Sequence, residues 1–238
     1  MFIAQFRLKA AVQKLLCEFQ EILDFSSDHP VRAMRKIAQR ETVDYIRARM
    51  GDAIGVYTAR DVFDVTVKSL PVEGHLMEFG VFRGGTIRYL ASRVPHRQLH
   101  GFDSFQGLPE TWSGYNLEKS AFSVQGKLPQ VPDNVKLYAG WFDETLPKWL
   151  ERNDGPVAFV HVDCDLYSST KIILDLLGAR FRVGTVIVFD EYFGYPNWQR
   201  HEFKAFKEFV EANNIQYEYV AYSRFQAAVR LLAVGKHE

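Results

Sequence analysis

The sequence predicts an α/β fold built on a mostly parallel sheet with an antiparallel C-terminal hairpin. Three observations carry that expectation. From residue 75 onward, short apolar runs of strand length alternate with helical stretches, the pattern of strands joined by crossover helices. The first clear strand ends in a glycine-rich turn that leads into a helix. The last two apolar runs, 216–222 and 226–233, are joined by a connection too short for a crossover and so read as a hairpin. At 238 residues, 47% hydrophobic and 24% charged, the chain has the composition of an ordinary globular protein able to bury a large core.

In chain order, residues 2–25 come first. Phe2, Phe6, Leu8, Val12, Leu15, Leu16, Phe19, Ile22 and Leu23 recur at helical spacing, which predicts an amphipathic helix packed on the domain or on a second copy. Two further helices are expected at 31–49, after His29-Pro30, and at 59–68. Strands follow at 75–79, 98–102, 135–138, 157–162, 185–189, 216–222 and 226–233. Helices fill 86–93, 144–151, 169–181 and 199–213. The stretch 104–134 has neither periodicity. It is rich in Gly, Pro, Ser and aromatics, and loops of that length usually carry function, so it reads as a lid. The alternative is a surface insertion with no part in the chemistry.

Composition excludes several classes. The 29 Lys plus Arg balance 29 Asp plus Glu, so the footprint of a nucleic-acid binder is missing. Two cysteines, Cys17 and Cys164, are too few for a disulfide framework and suit a reducing, cytoplasmic setting. Arg7, Lys9, Lys14 and Glu18 interrupt the apolar N-terminal stretch, which argues against a signal peptide or a membrane span.

The glycine turn is Glu78-Phe79-Gly80-Val81-Phe82-Arg83-Gly84-Gly85-Thr86, at the point where open α/β sheets bind ligands. It is not a dinucleotide fingerprint, because Phe82 stands where the second glycine must let backbone approach pyrophosphate. Nor is it a phosphate loop, because Thr86 takes the place of the lysine. Glu78 adds negative charge, which repels phosphate and favours a cation. S-adenosylmethionine brings an ammonium and a sulfonium and no phosphate. Asp103, closing the second strand beside Ser104, is placed to accept hydrogen bonds from ribose hydroxyls. The candidate cofactor residues are therefore Glu78, Phe79, Gly80, Val81, Gly84, Thr86, Asp103 and Ser104. Trp141 and Phe142, after the third strand, join them as faces for stacking on adenine. The plainer readings are that the glycines relieve a turn, Asp103 caps a helix, and the two aromatics anchor one.

Two later strands stop in acidic pairs, at Asp163-Cys164-Asp165 and at Asp190-Glu191. If the strands are neighbours, about 4.8 Å apart, these acids converge on the edge that carries the glycine turn. Several carboxylates that close need a compensating cation. Oxygen ligands favour Mg²⁺, with Ca²⁺ or Mn²⁺ as alternatives, and Asp163, Asp165, Asp190 and Glu191 are the candidate ligands. A hydroxyl beside such an ion loses its proton more easily and can attack the sulfonium methyl in line, giving O-methylation. The competing reading is that each Asp caps the following helix. Asp163 also serves as a candidate cofactor contact and, with His201 near the start of the last helix, as a candidate catalytic residue. His161, in the strand before Asp163, reads first as a hydrogen-bonded strand histidine. Cys164 reads as a small packing residue.

At these residues the chain resembles the macrocin O-methyltransferase (TylF) family of class I S-adenosylmethionine-dependent methyltransferases. The segments are EFGVFRGGT at 78–86, FDSFQGLP at 102–109, GWFDETLP at 140–147, VDCDLYSST at 162–170 and FDEY at 189–192. The resemblance implies a Rossmann-like, seven-stranded sheet over 71–238 preceded by a helical cap over 1–70. It implies S-adenosylmethionine at Glu78, Gly80 and Asp103, and a divalent metal at Asp163 or Asp165 with Asp190 and Glu191. One departure is Asp190-Glu191 where better-known members carry two aspartates, a longer side chain that would shift or weaken the ion. The expected partner is a small hydroxylated acceptor, with a natural-product sugar first and a catechol or phenylpropanoid second. The N-terminal helices are expected to serve as an oligomer contact. A cofactor-binding interaction subunit without catalysis is the alternative from another class.

Overall fold

The computed structural model of the chain describes residues 29–112 and 117–235. The helix expected at 2–25 lies outside them.

Helix α1 (Pro30–Arg49) starts on a His29 N-cap with proline at its first position, and the two-residue strand β1 (Ile54–Gly55) follows. In α2 (Ala59–Val67) Thr58 and Asp61 form a reciprocal capping box, and Val62, Phe63 and Thr66 are buried on one face. Next come β2 (His75–Phe79), α3 (Gly85–Arg93), β3 (Leu99–Asp103), β4 (Val135–Ala139), α4 (Phe142–Leu150), β5 (Val157–Val162) and α5 (Tyr167–Leu177). The chain ends with β6 (Phe181–Phe189), α6 (Glu202–Ala212), β7 (Gln216–Tyr222) and β8 (Ala227–Ala233).

The sheet has eight strands in the order β1-β7-β8-β6-β5-β2-β3-β4, one more than the seven expected. The extra strand pairs Ile54 and Gly55 in parallel with Ala221 and Tyr222, and two residues are too few to show a period. β8 runs antiparallel to both neighbours, as the hairpin reading requires, and the other pairs are parallel. β6 begins at Phe181, earlier than the 185 expected. A bulge between Phe181 and Val186, with Gly184 at φ +91°, hides that start from an alternation count.

Apolar side chains leave the sheet on both faces. Met77, Phe79, Phe102, Val160, Ile187 and Phe189 pack with Leu146, Ile173, Leu174 and Phe206 of α4, α5 and α6. Leu76, Phe159, Val186 and Val188 pack with Val62, Phe63, Ile87 and Leu90 of α2 and α3. Registry then fixes the functional edge. Phe102 lies opposite Phe79, Phe79 opposite Val162, and Val162 opposite Phe189, so the four central strands end level. The next residues, Asp103, Gly80, Asp163 and Asp190, continue the row. Hydrogen bonds from Gly80 N to Phe102 O (2.9 Å), Asp163 N to Phe79 O (2.8 Å) and Asp190 N to Val162 O (2.9 Å) hold it together.

Gly80 is the tightest point of that row. Its φ is +96°, and a Cβ there would lie 1.6 Å from the Asp163 carbonyl oxygen, so only glycine lets the turn pass the end of β5. Gly84 also has a positive φ, +74°, but a Cβ there would meet chiefly the movable end of Arg88. Thermal unfolding should show Gly80→Ala losing about 3 kcal/mol or more, and Gly84→Ala only about 1 kcal/mol. Equal losses would mean that the close approach to Asp163 does not constrain the turn.

Candidate active site

A cavity of about 640 Å³ opens at the level strand ends. Of the residues expected to bind ligands, Gly80, Asp103, Ser104, Trp141, Phe142, Asp163, Asp165 and Glu191 line it. The stretch 104–134 supplies another wall with Leu108, Trp112, Lys119 and Phe122. It folds back on itself through bonds from Leu108 N to Ala121 O (3.0 Å) and Trp112 N to Leu117 O (2.9 Å), and Ser168 Oγ donates to Glu110 Oε1 (2.6 Å) to tie it to α5. Phe122 meets Phe82 of the glycine turn edge-on at 5.8 Å.

Asp103 organises the turn. Its Oδ2 accepts from Val81 N (2.8 Å) and Phe82 N (2.6 Å), and its Oδ1 from Phe105 N (2.6 Å). These bonds let Phe82 hold a left-handed φ of +49°. Phe79 and Val81 are core residues, Gly84 is the N-cap of α3, and Thr86 lies in the first turn of that helix, so these four stand behind the wall.

Glu78 does not line the cavity. It shares the sheet face of Leu76, and it is wholly buried, with its Oε2 3.2 Å from Nδ1 of the equally buried His161. His161 Nε2 lies 3.5 Å from Asp190 Oδ1, which also accepts from Gln226 Nε2 (3.2 Å). Asp190, expected among the metal ligands, is thus engaged on the imidazole side. The carboxylates that do converge are Asp163, Asp165 and Glu191, with one oxygen of each within 4.8 Å of the others. Asp165 rejoins Asp163 through a tight turn with φ +65°. Glu191 Oε2 is buried without a hydrogen-bond partner among the described residues. An all-oxygen trio with an orphaned buried oxygen fits a hard divalent cation.

A further acid was not visible in the sequence. Glu202, buried in the first turn of α6, accepts from Glu191 N with Oε2 at 3.1 Å, and in the sequence it looks like an ordinary helix-start glutamate. His201 is buried with its ring 6.2 Å from Trp112 and 6.1 Å from Tyr195, outside the cavity wall.

The electrostatics follow from burial and crowding. Burial, then the charge of Asp190, pushes Asp165 up to about 7. The same two causes raise Asp163 and Glu191, and burial followed by the charge of Asp165 raises Glu202. Burial also raises Glu78 against the pull of His161. Asp190 goes the other way: burial would raise it, but the hydrogen bond and charge of His161 hold it low. Burial would lower His161, yet its contacts with Asp190 and Glu78 outweigh that and hold it well above the usual imidazole value.

A carboxyl raised on folding gives stability that is full below its unfolded value near 4 and is lost as pH rises through the folded value. In chelator, the unfolding free energy should therefore fall between pH 4 and 8 by on the order of a few kcal/mol. Mg²⁺ should restore the loss, and Asp165→Asn should flatten the slope. A profile indifferent to both would show that the trio is neither crowded nor cation-binding.

Among the described residues no helix is long and apolar enough to cross a membrane. Residues 58–222, well over half of the chain, match the family described as macrocin-O-methyltransferase (TylF). A stretch of 149 residues is 30% identical to the 8-demethyl-8-(2,3-dimethoxy-alpha-L-rhamnosyl)-tetracenomycin-C 4'-O-methyltransferase of Streptomyces olivaceus, over 53% of this chain and 56% of that protein. Another of 160 residues is 29% identical to the demethyldecarbamoylnovobiocin O-methyltransferase of Streptomyces niveus, over 57% and 58%. The chain thus spans somewhat more than half the length of these curated relatives. The crystal structure of CalS11, a calicheamicin methyltransferase, shares the fold with a TM-score of 0.59 at 21% identity, over 89% of this chain and 90% of that one. The chain belongs to the macrocin-O-methyltransferase (TylF) family.

Proposed function

We propose that this protein transfers the methyl group of S-adenosylmethionine to a hydroxyl of a small molecule, a sugar carried by a natural product, with Mg²⁺ held by Asp163, Asp165 and Glu191. The observation that carries this reading is the carboxylate trio in the wall of a large cavity, beside a glycine turn that lacks both phosphate fingerprints. The S. olivaceus relative is named for 4'-O-methylation of a rhamnosyl-bearing tetracenomycin, which supports a glycosylated acceptor.

In this reading Asp103 and the faces of Trp141 and Phe142 hold the nucleoside half of the donor. Leu108, Trp112 and Phe122 form the acceptor side and exclude water. A hard cation among the trio supplies one thing, a lowered pKa for a hydroxyl next to it. Asp163 takes that proton as the acceptor oxygen bonds to the methyl carbon. The carbon–sulfur bond breaks with its electron pair left on sulfur, so the donor departs as a neutral thioether. His201 acts by holding Trp112 in the acceptor wall.

A screen of glycosylated and catechol acceptors with labelled donor tests the reaction. Asp163→Asn should lower kcat by about 10² to 10⁴-fold with donor affinity little changed, and Glu191→Gln should raise the Mg²⁺ requirement. Turnover indifferent to chelation removes the cation from the mechanism. Calorimetric preference for NAD over S-adenosylmethionine removes the donor.

A further inference from the structure

A second cleft, of about 500 Å³, lies where the end of α1 meets α6 and β7, and shares no residue with the first. Tyr45, Tyr217, Tyr219 and Lys207 line it, with Arg49 and Asp52. Beneath it runs a chain of phenol groups. Tyr219 OH lies 2.6 Å from Tyr45 OH, 2.7 Å from Tyr192 OH and 3.5 Å from Tyr217 OH, and Lys207 Nζ donates to Tyr217 OH at 2.9 Å.

Counting protons shows what the cleft lacks. Each phenol has one proton to give, and three contacts among four phenols use three of them. Tyr192 is fully buried with Tyr219 as its hydroxyl partner, so its proton goes inward to Tyr219. The surplus proton then sits on Tyr45 or Tyr217, and both line the cleft. Lys207 keeps two further N–H donors after serving Tyr217, and Arg49 has no protein partner among the described residues. Two carboxylates share the lining, Asp52 and Glu218. Glu218 is bound to Arg230 at 3.0 Å, the Met50 carbonyl accepts from Ala53 N, and Asp52 is exposed.

Donors from three elements, Arg49 of α1, Lys207 of α6 and Tyr217 of β7, thus line one polar cleft. We propose that this cleft binds the phosphoryl group of a small phosphorylated molecule, with Lys207, Arg49 and the free phenol proton on its oxygens. Arg and Lys around a multi-oxygen anion give charge-assisted hydrogen bonds, and several oxygens are needed to meet donors arriving from different sides. The site stands apart from the methyl-transfer reading and needs no turnover to be tested.

Calorimetry of the full-length chain with inorganic phosphate and with pyrophosphate should show one saturable site. Affinity should fall about tenfold or more in Lys207→Gln and in Arg49→Gln, and a few-fold in Tyr217→Phe. Lys207→Arg should retain it, and S-adenosylmethionine should leave it unchanged. The proposal is overturned by the absence of saturable binding, by binding that persists in both charge variants while their melting temperatures match the parent, or by displacement with S-adenosylmethionine.

Discussion

The structure depends on four strands that end level. Because Phe102, Phe79, Val162 and Phe189 are in register, the next residues form one row along the sheet edge, and three of the four positions carry a carboxylate. Like charges at strand spacing repel strongly once water is excluded. The fourth position, Gly80, has no side chain and sits where the backbone of β5 leaves no room for one. The edge therefore concentrates negative charge while keeping a backbone passage open beside it. Everything around it, from the buried imidazole to the raised carboxyl groups, compensates for that concentration.

Compensation is divided between the two faces of the sheet. On the α2 and α3 side, His161 lies between Glu78 and Asp190 under the ring of Phe63, whose centroid is 4.8 Å away. Burial raises the Glu78 carboxyl while His161 holds Asp190 low, so the imidazole meets one carboxyl that favours its proton and one that favours its charge. On the cavity side Asp163, Asp165 and Glu191 crowd one another, and burial with the charge of Asp190 raises all three, so protons or a cation relieve them. One edge thus holds an imidazole-centred group on one face and a carboxylate trio on the other, separated by the thickness of the sheet.

Much of this was legible in the sequence because it depends on short-range pattern. Apolar runs gave the strands from His75 onward, and acids directly after such runs mark strand ends, which is why Asp103, Asp163, Asp165 and Glu191, all in the cavity wall, could be picked out as candidates. The face of Glu78 was also readable, since it alternates with Met77 and Phe79 and so points away from their side, but attraction to a cationic ligand suggested the cavity instead. What the sequence hid depends on contacts made across the fold. Ile54–Gly55 is too short to show a period, Glu202 meets Glu191 N only after α6 docks, and Trp112 reaches the cavity only once 104–134 folds back.

The Asp190-Glu191 pair shows how one added methylene fits this geometry. Successive residues at a strand end point to opposite faces. Asp190 goes to His161 and Gln226, and the next residue must serve the cavity from one step farther along the chain. Glu202 fixes the backbone of Glu191 by accepting its N–H, and the longer side chain then brings a carboxylate oxygen within 4.8 Å of those of Asp163 and Asp165. A glutamate here lets one acidic pair serve both faces, with the shorter member beside the imidazole and the longer one in the cavity trio.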